Sequence, residues 1–564
     1  MNFKAIFSSS LHDALENALH KDQIESLIEI PKSSNHGDLA FPCFTLAKQL
    51  RKSPAFIAEE VAKKINSDWI KRAEAVGPYV NVFFNKSLVS SEILKDVLSA
   101  DHNYGSSTIG SGKNIVLDFS SPNIAKPFSM GHLRSTVIGN ALSNIANQCG
   151  YNTFRINHLG DWGTQFGKLI TAYKKWGEES KVAESPIQEL FKLYIKFHEE
   201  VENQPELDDE ARKWFKELEN GNEEATKLWS LFRSESLKEF QRIYDLLGIQ
   251  FDSFNGEAFY NDKMEAVVEQ LASSHLLEAS EGAEVVRLDD QDLPPCLIRK
   301  SDGASLYATR DLAAGIYRKQ QYDFFKALYI VGQEQTVHFK QVKGVLKKLG
   351  YDWADQMEHI PFGLYLKDGK KMSTRKGRVV LLEDVLKEAI ELAQKSIEEK
   401  NPQLTDKESI AKDVGVGAVL FHDLKNDRMN NIEFSLEDML TFEGETGPYL
   451  QYSNARAHSL LRKAEVQSIE AVFTHGLDDS YSWEVIKLIN ECSAKMEKSF
   501  ELLSPSVLAK YLIDLAQAFN KFYAHVKVLE KTSDYNEKLA LVKAVTIVLT
   551  KGLNTLGMGA PKQM

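Results

Sequence analysis

Two stretches of this chain repeat one grammar, and that grammar restricts the fold more than any bulk property. Asn114–Phe119 (NIVLDF) is a short apolar run, followed by a Ser/Pro/Asn/Gly loop and an amphipathic stretch from Leu133 to Gln148. Thr153–Asn157 is a second short run, opening into a glycine-rich turn and a helical stretch near Phe166–Lys174. Short strand-like runs alternating with helices predict a parallel sheet, because a helical crossover returns the chain in the same direction. Strand-like runs return at Ala327–Val331 and near Gly363–Leu366. Between them, residues 176–260 are charge-dense and mainly helical. Around Glu189, Glu199, Glu217 and Glu239 they read as a solvated helical insertion.

The flanks follow other patterns. Residues 1–108 predict an α+β unit, with helical periods at Leu11–Leu27 and Phe56–Asn66 and a strand over Gly77–Phe84 (GPYVNVFF). HNYGSSTIGSGKN is a linker candidate. From about residue 400 onward only helical periodicity remains. The expected organisation is an N-terminal α+β domain (1–108), an α/β parallel-sheet domain (109–400) and an all-α helical bundle (401–564), consistent with a chain of 564 residues being too long for one core. Over Pro505–Met564 eight lysines stand against four acidic residues, a surplus of +4 in a chain whose net charge is −12. The overall acidity argues against a protein that coats nucleic acid, yet leaves room for one basic surface. The four cysteines are far apart with no CxxC pair, so neither a zinc ribbon nor a disulfide framework is expected. No run approaches the ~20 apolar residues of a membrane span, and MNFKAIFSSSLHDAL lacks the apolar core of a secretory signal. A cytoplasmic protein without a structural metal is the expectation.

Three segments carry chemistry. In Ser120–Ser135 (SSPNIAKPFSMGHLRS) a strand ends, a loop with two prolines turns, and Gly131 and His132 open a helix. A helix N-terminus suits a phosphate, and His132 can donate a hydrogen bond to charge developing on it. In Asn157–Gly167 (NHLGDWGTQFG) three glycines surround Asp161 and Trp162 just after a strand, describing a close-approach pocket at the carboxyl end of a sheet. Lys370–Arg378 (KKMSTRKGR) packs five cations and two hydroxyls into nine residues, an anion-binding loop able to neutralise a departing triphosphate tail. A P-loop is excluded: upstream of Gly112–Lys113 the required glycine is Ser107, and Asn114 replaces the Ser/Thr.

Together these segments resemble the class I aminoacyl-tRNA synthetases, the first being similar to their HIGH signature and the third to their KMSKS loop. The long runs, with Tyr307–Asp311 (YATRD) and the C-terminal Gly552…Met558–Gly559…Pro561–Met564, resemble the arginyl-tRNA synthetases in particular, over essentially the whole chain. Two positions depart from the pattern: Ser129 replaces the first histidine of HIGH, and Thr374 replaces the second lysine of KMSKS. The resemblance implies a Rossmann-like core and a monomeric ligase. It would activate L-arginine with ATP and Mg²⁺ to arginyl-adenylate plus pyrophosphate, then acylate the 3′-terminal ribose of tRNA(Arg). It implies catalytic roles for His132, Lys371, Ser129 and Lys376, with the choice of lysine left open. ATP contacts are implied for Pro127, Phe128, Met130, Gly131, His132, Gly160, Asp161, Gly163, Met372 and Ser373. Arginine has five fixed N–H donors and one delocalised charge, which call for carboxylates and neutral acceptors. Asp118, Asn123, His158, Tyr307, Asp311 and Gln335 resemble that set, with Asp118, Tyr307, Asp311 and Gln335 around the guanidinium. Tyr449, Tyr452, Asn454 and Arg456 resemble tRNA-binding positions at the start of an anticodon-binding bundle. The competing readings are a class I synthetase for another amino acid and a catalytically silent RNA-binding paralogue.

Overall fold

The computed structural model describes every residue except 301–306, 368, 372–379, 466, 467 and 470. The described residues divide into two units. One holds Met1–Tyr104, Arg456–Cys492 and Asp514–Leu549, the other Gly105–Ala455, Ser493–Ile513 and Thr550–Met564.

In the first unit, strands β1 (Leu39–Pro42), β2 (Ile70–Val76) and β3 (Tyr79–Phe84) form an antiparallel sheet in the order β1-β3-β2. The strand expected from Gly77 starts two residues later. Gly77 has φ 57° and turns the chain between β2 and β3, a conformation that a Cβ disfavours. The helical period expected over Leu11–Leu27 is likewise split, into Phe3–Ala14 and Lys21–Leu27, with Glu16 and Asn17 at positive φ between them. Residues from both ends of the sequence share this unit: Trp483 Nε1 donates to Asp38 Oδ1 at 2.8 Å, and the Leu477 amide donates to Ser90 Oγ at 2.8 Å.

The strands of the second unit are, in chain order, β4 (Asn114–Asp118), β5 (Asn152–Ile156), β6 (Glu278–Ser280), β7 (Ala283–Val286), β8 (Cys296–Arg299), β9 (Lys326–Tyr329), β10 (Met357–His359), β11 (Tyr365–Lys367), β12 (Lys370–Lys371) and β13 (Ile432–Glu433). Four of them make the expected parallel sheet, ordered β10-β9-β4-β5. Ile115, Val116 and Leu117 of β4 are all buried, as a central strand covered on both faces requires. From β4 the chain first builds outward to β5; the later pair β9 and β10 builds on the other side of β4. Strand order therefore reverses between β4 and β9, and ligands of open α/β sheets bind outside the carboxyl ends of the strands at such a point.

Two small sheets were not foreseen. β6-β7-β8 is an antiparallel meander, and β12-β11-β13 includes a two-residue strand inside the segment expected to be wholly helical. β13 exists because β11 offers it an edge; two residues carry no period of their own. The rest of the C-terminal segment is helical, including Leu382–Lys400, Lys407–Leu424, Gly447–Ala464, Ser480–Asn490, Pro505–His525 and Tyr535–Thr555. The charge-dense insertion is helical too, but it is not merely solvated. Its helix Glu223–Leu247 buries Phe232, Ser236, Phe240, Ile243, Tyr244 and Leu247 along one face, and its charges occupy the other. None of the described helices is long and apolar enough to cross a membrane.

Candidate active site

The loop after β4 is held in a conformation that its own residues resist. Ser120, Ser121 and Ala125 have φ of 73°, 48° and 60°, the left-handed region that costs a non-glycine residue of order 1 kcal/mol or more. Surrounding side chains over-determine it. The Ser120 amide donates to Ser135 Oγ (2.9 Å), the Ser121 amide to Asn157 Oδ1 (3.1 Å) and the Ala125 amide to Ser236 Oγ (3.0 Å). The Tyr244 hydroxyl lies 2.8 Å from Ser120 Oγ and accepts from Asn157 Nδ2 at 2.8 Å. Two of these supports, Ser236 and Tyr244, come from the helical insertion.

The second glycine-rich segment docks directly on this loop. The Gly160 amide donates to Pro122 O (3.1 Å) and the Ile124 amide to Gly160 O (3.1 Å), so Asn123 and Gly160 pair as a parallel bridge. A Cβ on Gly160 would stand 2.2 Å from Asn123 Oδ1, so a larger residue there would displace the Asn123 side chain. Gly163, at φ 129°, caps the helix Thr164–Trp176. Asp161, expected on the nucleotide, is buried and already engaged. It accepts from Arg233 Nε (2.8 Å) and from the Ala258 amide (2.8 Å), so its work is to anchor the insertion and the 3₁₀ turn Glu257–Lys263.

At the start of helix Met130–Gln148 the Ser129 amide donates to His132 Nδ1 (3.1 Å), with Ser129 Oγ 3.2 Å from the same nitrogen. Nδ1 is thus an acceptor, and the proton of the neutral ring sits on Nε2. Desolvation, aided by the charge of Lys126, pushes the imidazole down to about 4, so the neutral donor form holds at physiological pH. Phe128 packs on His132 with ring centres 5.0 Å apart and on Tyr244 at 5.6 Å. Met130 is buried and Pro127 half-buried; Gly131 is exposed. The exit of the basic loop meets this corner: the Met130 amide donates to Val380 O (3.0 Å) and the Leu382 amide to Phe128 O (3.0 Å). Met372, Ser373 and Lys376 lie outside the described residues, and Lys371 is described only as backbone in β12. Behind the helix, buried Arg134 ties it to helix Lys407–Leu424 by donating to Asp423 Oδ2 (3.2 Å) and to Asn430 O (2.7 Å).

On the other side of the β4 end, charged groups gather. Asp118 closes β4, buried, and pairs through Oδ2 with Arg318 Nη1 (2.8 Å) while Oδ1 accepts from Ser121 Oγ (3.0 Å). Arg318 Nη2 also lies 3.3 Å from His158 Nδ1. Burial, reinforced by Arg318, holds His158 below its ordinary range against the pull of Asp118, Asp311 and Asp161. Asp311, four residues into helix Tyr307–Tyr322, meets His338 Nε2 at 2.5 Å. Desolvation raises its carboxyl, but the hydrogen bond and charge of His338, followed by the charges of His158 and Arg318, outweigh it and hold the group below the usual carboxylate range. Asp118, His158 and Asp311 are thus brought together. Tyr307 opens the same helix and is exposed, and Gln335 closes the exposed turn Gln333–Gln335 after β9. Glu257, 3.7 Å from Arg310, borders the cluster; burial raises it to about 7, with Arg310 pulling the other way.

Of the residues expected on tRNA, Tyr452 is exposed and Tyr449 half-buried. Arg456 stacks over the Tyr523 ring at 5.0 Å and donates to Asn520 Oδ1. Asn454 is fully buried, donating to Pro561 O (3.2 Å) and accepting from Thr550 Oγ1 (3.3 Å), so it fastens the C-terminal segment and offers RNA no surface. Sequence reasoning missed Arg318, His338, Arg233, Glu257 and Tyr244. One signal was readable: Asp311 and Arg318 are seven apart, hence on one face of a helix.

Residues 93–436 match the family model of tRNA synthetases class I (R), catalytic domain. The chain belongs to the class I arginyl-tRNA synthetases. Residues 2–84 of this synthetase match the arginyl tRNA synthetase N terminal domain, and residues 450–564 the DALR anticodon binding domain. Arginine–tRNA ligase 2 of Bacillus anthracis is 59% identical to it over 100% of both chains. Among solved structures, the arginyl-tRNA synthetase of Thermus thermophilus has the same fold, with a TM-score of 0.80 at 24% identity over 100% of both chains. That of Plasmodium falciparum gives 0.80 at 25%, covering 100% of this chain and 98% of that one. Membership makes the chain an enzyme, an aminoacyl-tRNA synthetase with an ATP-using Rossmann-like core and a helical C-terminal domain.

Proposed function

We propose that this synthetase activates L-arginine at the β4/β9 switch point and passes it to tRNA(Arg). The observation that carries the reading is the juxtaposition at one strand end. A neutral imidazole at a helix start, His132, stands on one side, and a carboxylate cluster containing Asp311 and Asp118 on the other. In this reading an arginine carboxylate oxygen attacks the ATP α-phosphorus in line, and the bond to pyrophosphate breaks. A 3′-terminal ribose hydroxyl then attacks the acyl carbon and AMP leaves. Positioning and charge stabilisation carry both steps. His132 Nε2–H donates to the phosphates, with Phe128, Pro127, Met130, Gly131, Gly160 and Gly163 shaping the nucleotide's bed. Lys371 or Lys376, with Met372 and Ser373, would supply the further phosphate contacts, and the Val380 carbonyl just beyond this segment accepts from the Met130 amide. Asn123, His158, Tyr307 and Gln335 complete the amino-acid pocket.

Mg²⁺ would enter with the phosphates of ATP, as this cation commonly does. Among the described residues no cluster of three His, Cys, Asp or Glu side chains could hold a metal, and no step here runs through one. The synthetase would act as a cytoplasmic monomer, with the anticodon met by the helical C-terminal domain, Tyr452 among its exposed aromatics. ATP–pyrophosphate exchange dependent on arginine, with and without tRNA, tests the reading. Exchange with another amino acid but not with arginine would refute it.

A further inference from the structure

Four carboxylates meet in the corner between β4, the glycine-rich segment and helix Tyr307–Tyr322, and each has a basic partner. Asp161 is paired with Arg233 at 2.8 Å, Asp118 with Arg318 at 2.8 Å and Glu257 with Arg310 at 3.7 Å. Asp311 alone among them is paired with an imidazole, that of His338. The distinction is chemical. A guanidinium keeps its proton at any physiological pH, so Arg233 and Arg318 offset Asp161 and Asp118 permanently, and Arg310 stands as a fixed cation beside Glu257, whereas an imidazole is not obliged to carry charge.

Arg318 is the least expected of these partners. Only 1% of it is exposed, and it is braced between Asp118, His158 Nδ1 and the face of Tyr329, whose ring centre lies 5.4 Å from the guanidinium carbon. Its Nε finds no partner. Burying a guanidinium with an unmet donor is costly, and an apolar side chain of similar volume would commonly be as stable or more so. Packing alone does not account for such a residue.

We infer that Arg318 is a positioning residue that takes up the charge of Asp118, so that Asp311 is the carboxylate with which the pocket distinguishes a cationic side chain from a neutral one. This rests on the arginine pocket proposed above. Asp118 keeps lone pairs for a substrate N–H, but its net charge is already spent on Arg318. Asp311, whose imidazole partner is not a permanent cation, is then the carboxylate left to answer the charge of the substrate guanidinium. Arg318 also fixes the rotamer of Asp118 and, through His158, the neighbouring wall.

Pyrophosphate exchange by the full-length enzyme tests this, with arginine and its neutral isostere citrulline as substrates. Asp118→Asn leaves Arg318 as an unpaired buried cation beside the substrate guanidinium, and KM for arginine should rise ~10- to 100-fold with KM for ATP little changed. Adding Arg318→Gln removes that cation, so the double variant should recover most of the loss and keep its preference for arginine over citrulline. Asp311→Asn should lose the preference. If the second substitution recovers nothing and the preference collapses in both Asp118 variants, Asp118 itself reads the charge and the inference falls. If only thermal stability moves, Arg318 is merely structural. Should Arg318→Gln fail to fold, Arg318→Lys keeps the charge without the fork, and its KM for arginine should rise less than that of Asp118→Asn; an equal or larger rise overturns the inference. Absence of arginine-dependent exchange in the unsubstituted enzyme would refute the pocket, a result separate from any of these.

Discussion

The two sides of the β4 carboxyl end are built from different materials. The proposed nucleotide side consists of neutral groups: the hydroxyls of Ser120, Ser129 and Tyr244, and an imidazole kept uncharged by burial. The proposed amino-acid side consists of ionisable groups, each paired before any substrate arrives, Asp311 with an imidazole and the others with guanidinium groups. The difference follows from what each side must hold. An anion can be met by oriented N–H and O–H donors, with extra cations supplied by a separate loop, so nothing charged has to be stored in the dry interior. A buried guanidinium requires carboxylates, and a carboxylate out of water must be paired or it takes up a proton. A host for arginine is therefore obliged to carry internal cations as well. The nucleotide side stores its cost as backbone strain, the amino-acid side as desolvated ion pairs.

Asp311→Asn gives the largest expected effect on this contrast. It keeps the shape of the charged side and removes the charge, at ~3–5 kcal/mol in specificity constant for arginine. Steady-state kinetics with arginine, lysine and citrulline check it; a mutant retaining the full arginine preference would mean that the guanidinium is read elsewhere. On the neutral side, His132→Ala should slow adenylate formation ~10²–10³-fold while tRNA binding is kept. A single-turnover rate within about threefold of the parent would remove His132 from the phosphates. Because His132 is neutral down to about pH 4, its protonation should leave no inflection in activity between pH 6 and 8.

Tyr244→Phe probes the strained loop. It strips partners from Ser120 and Asn157, both buried, and should cost ~1–3 kcal/mol of stability with a parallel loss of adenylate formation. An unchanged Tm would mean that the insertion does not hold the loop. The smallest effect concerns Glu257. Its carboxyl is raised to about 7 from an ordinary 4.5, so its contribution to stability is fully present below pH 4.5 and lost as pH rises through 7. Discounted for its partial exposure, this is about 1–2 kcal/mol. The stability of the wild type relative to Glu257→Gln, read by thermal unfolding, should therefore fall between pH 5 and pH 8. A flat difference would show that Arg310 keeps Glu257 ionised throughout.

Legibility in the sequence followed the same divide. The loop after β4, the His132 helix start and the Gly160 docking segment are contiguous runs whose residue types announce their geometry, since consecutive residues at a strand end are neighbours in space by construction. Gly160 could be foreseen as a close-approach residue; that its neighbour would be Asn123 could not. Asp118 and Asp311 were recognisable as carboxylates in the right segments. Their partners were not, because many arginines and histidines are available and sequence separation does not say which will be met. Asp161 and Asn454 look like ligand-facing polar residues in the sequence, yet long-range contacts turn both inward.

By itself the sequence determined the parallel sheet, the helical C-terminal segment and the strand–loop–helix corner after β4, because period, turn chemistry and helix starts are local properties of the chain. Tertiary structure alone decided that the charge-dense insertion lends Ser236 and Tyr244 to the signature loop, that β11 captures the two residues of β13, and that Arg318 occupies Asp118. Each of these joins residues with no sequence relation, and only burial in a common interior forces a polar group to take the partner that the fold brings to it.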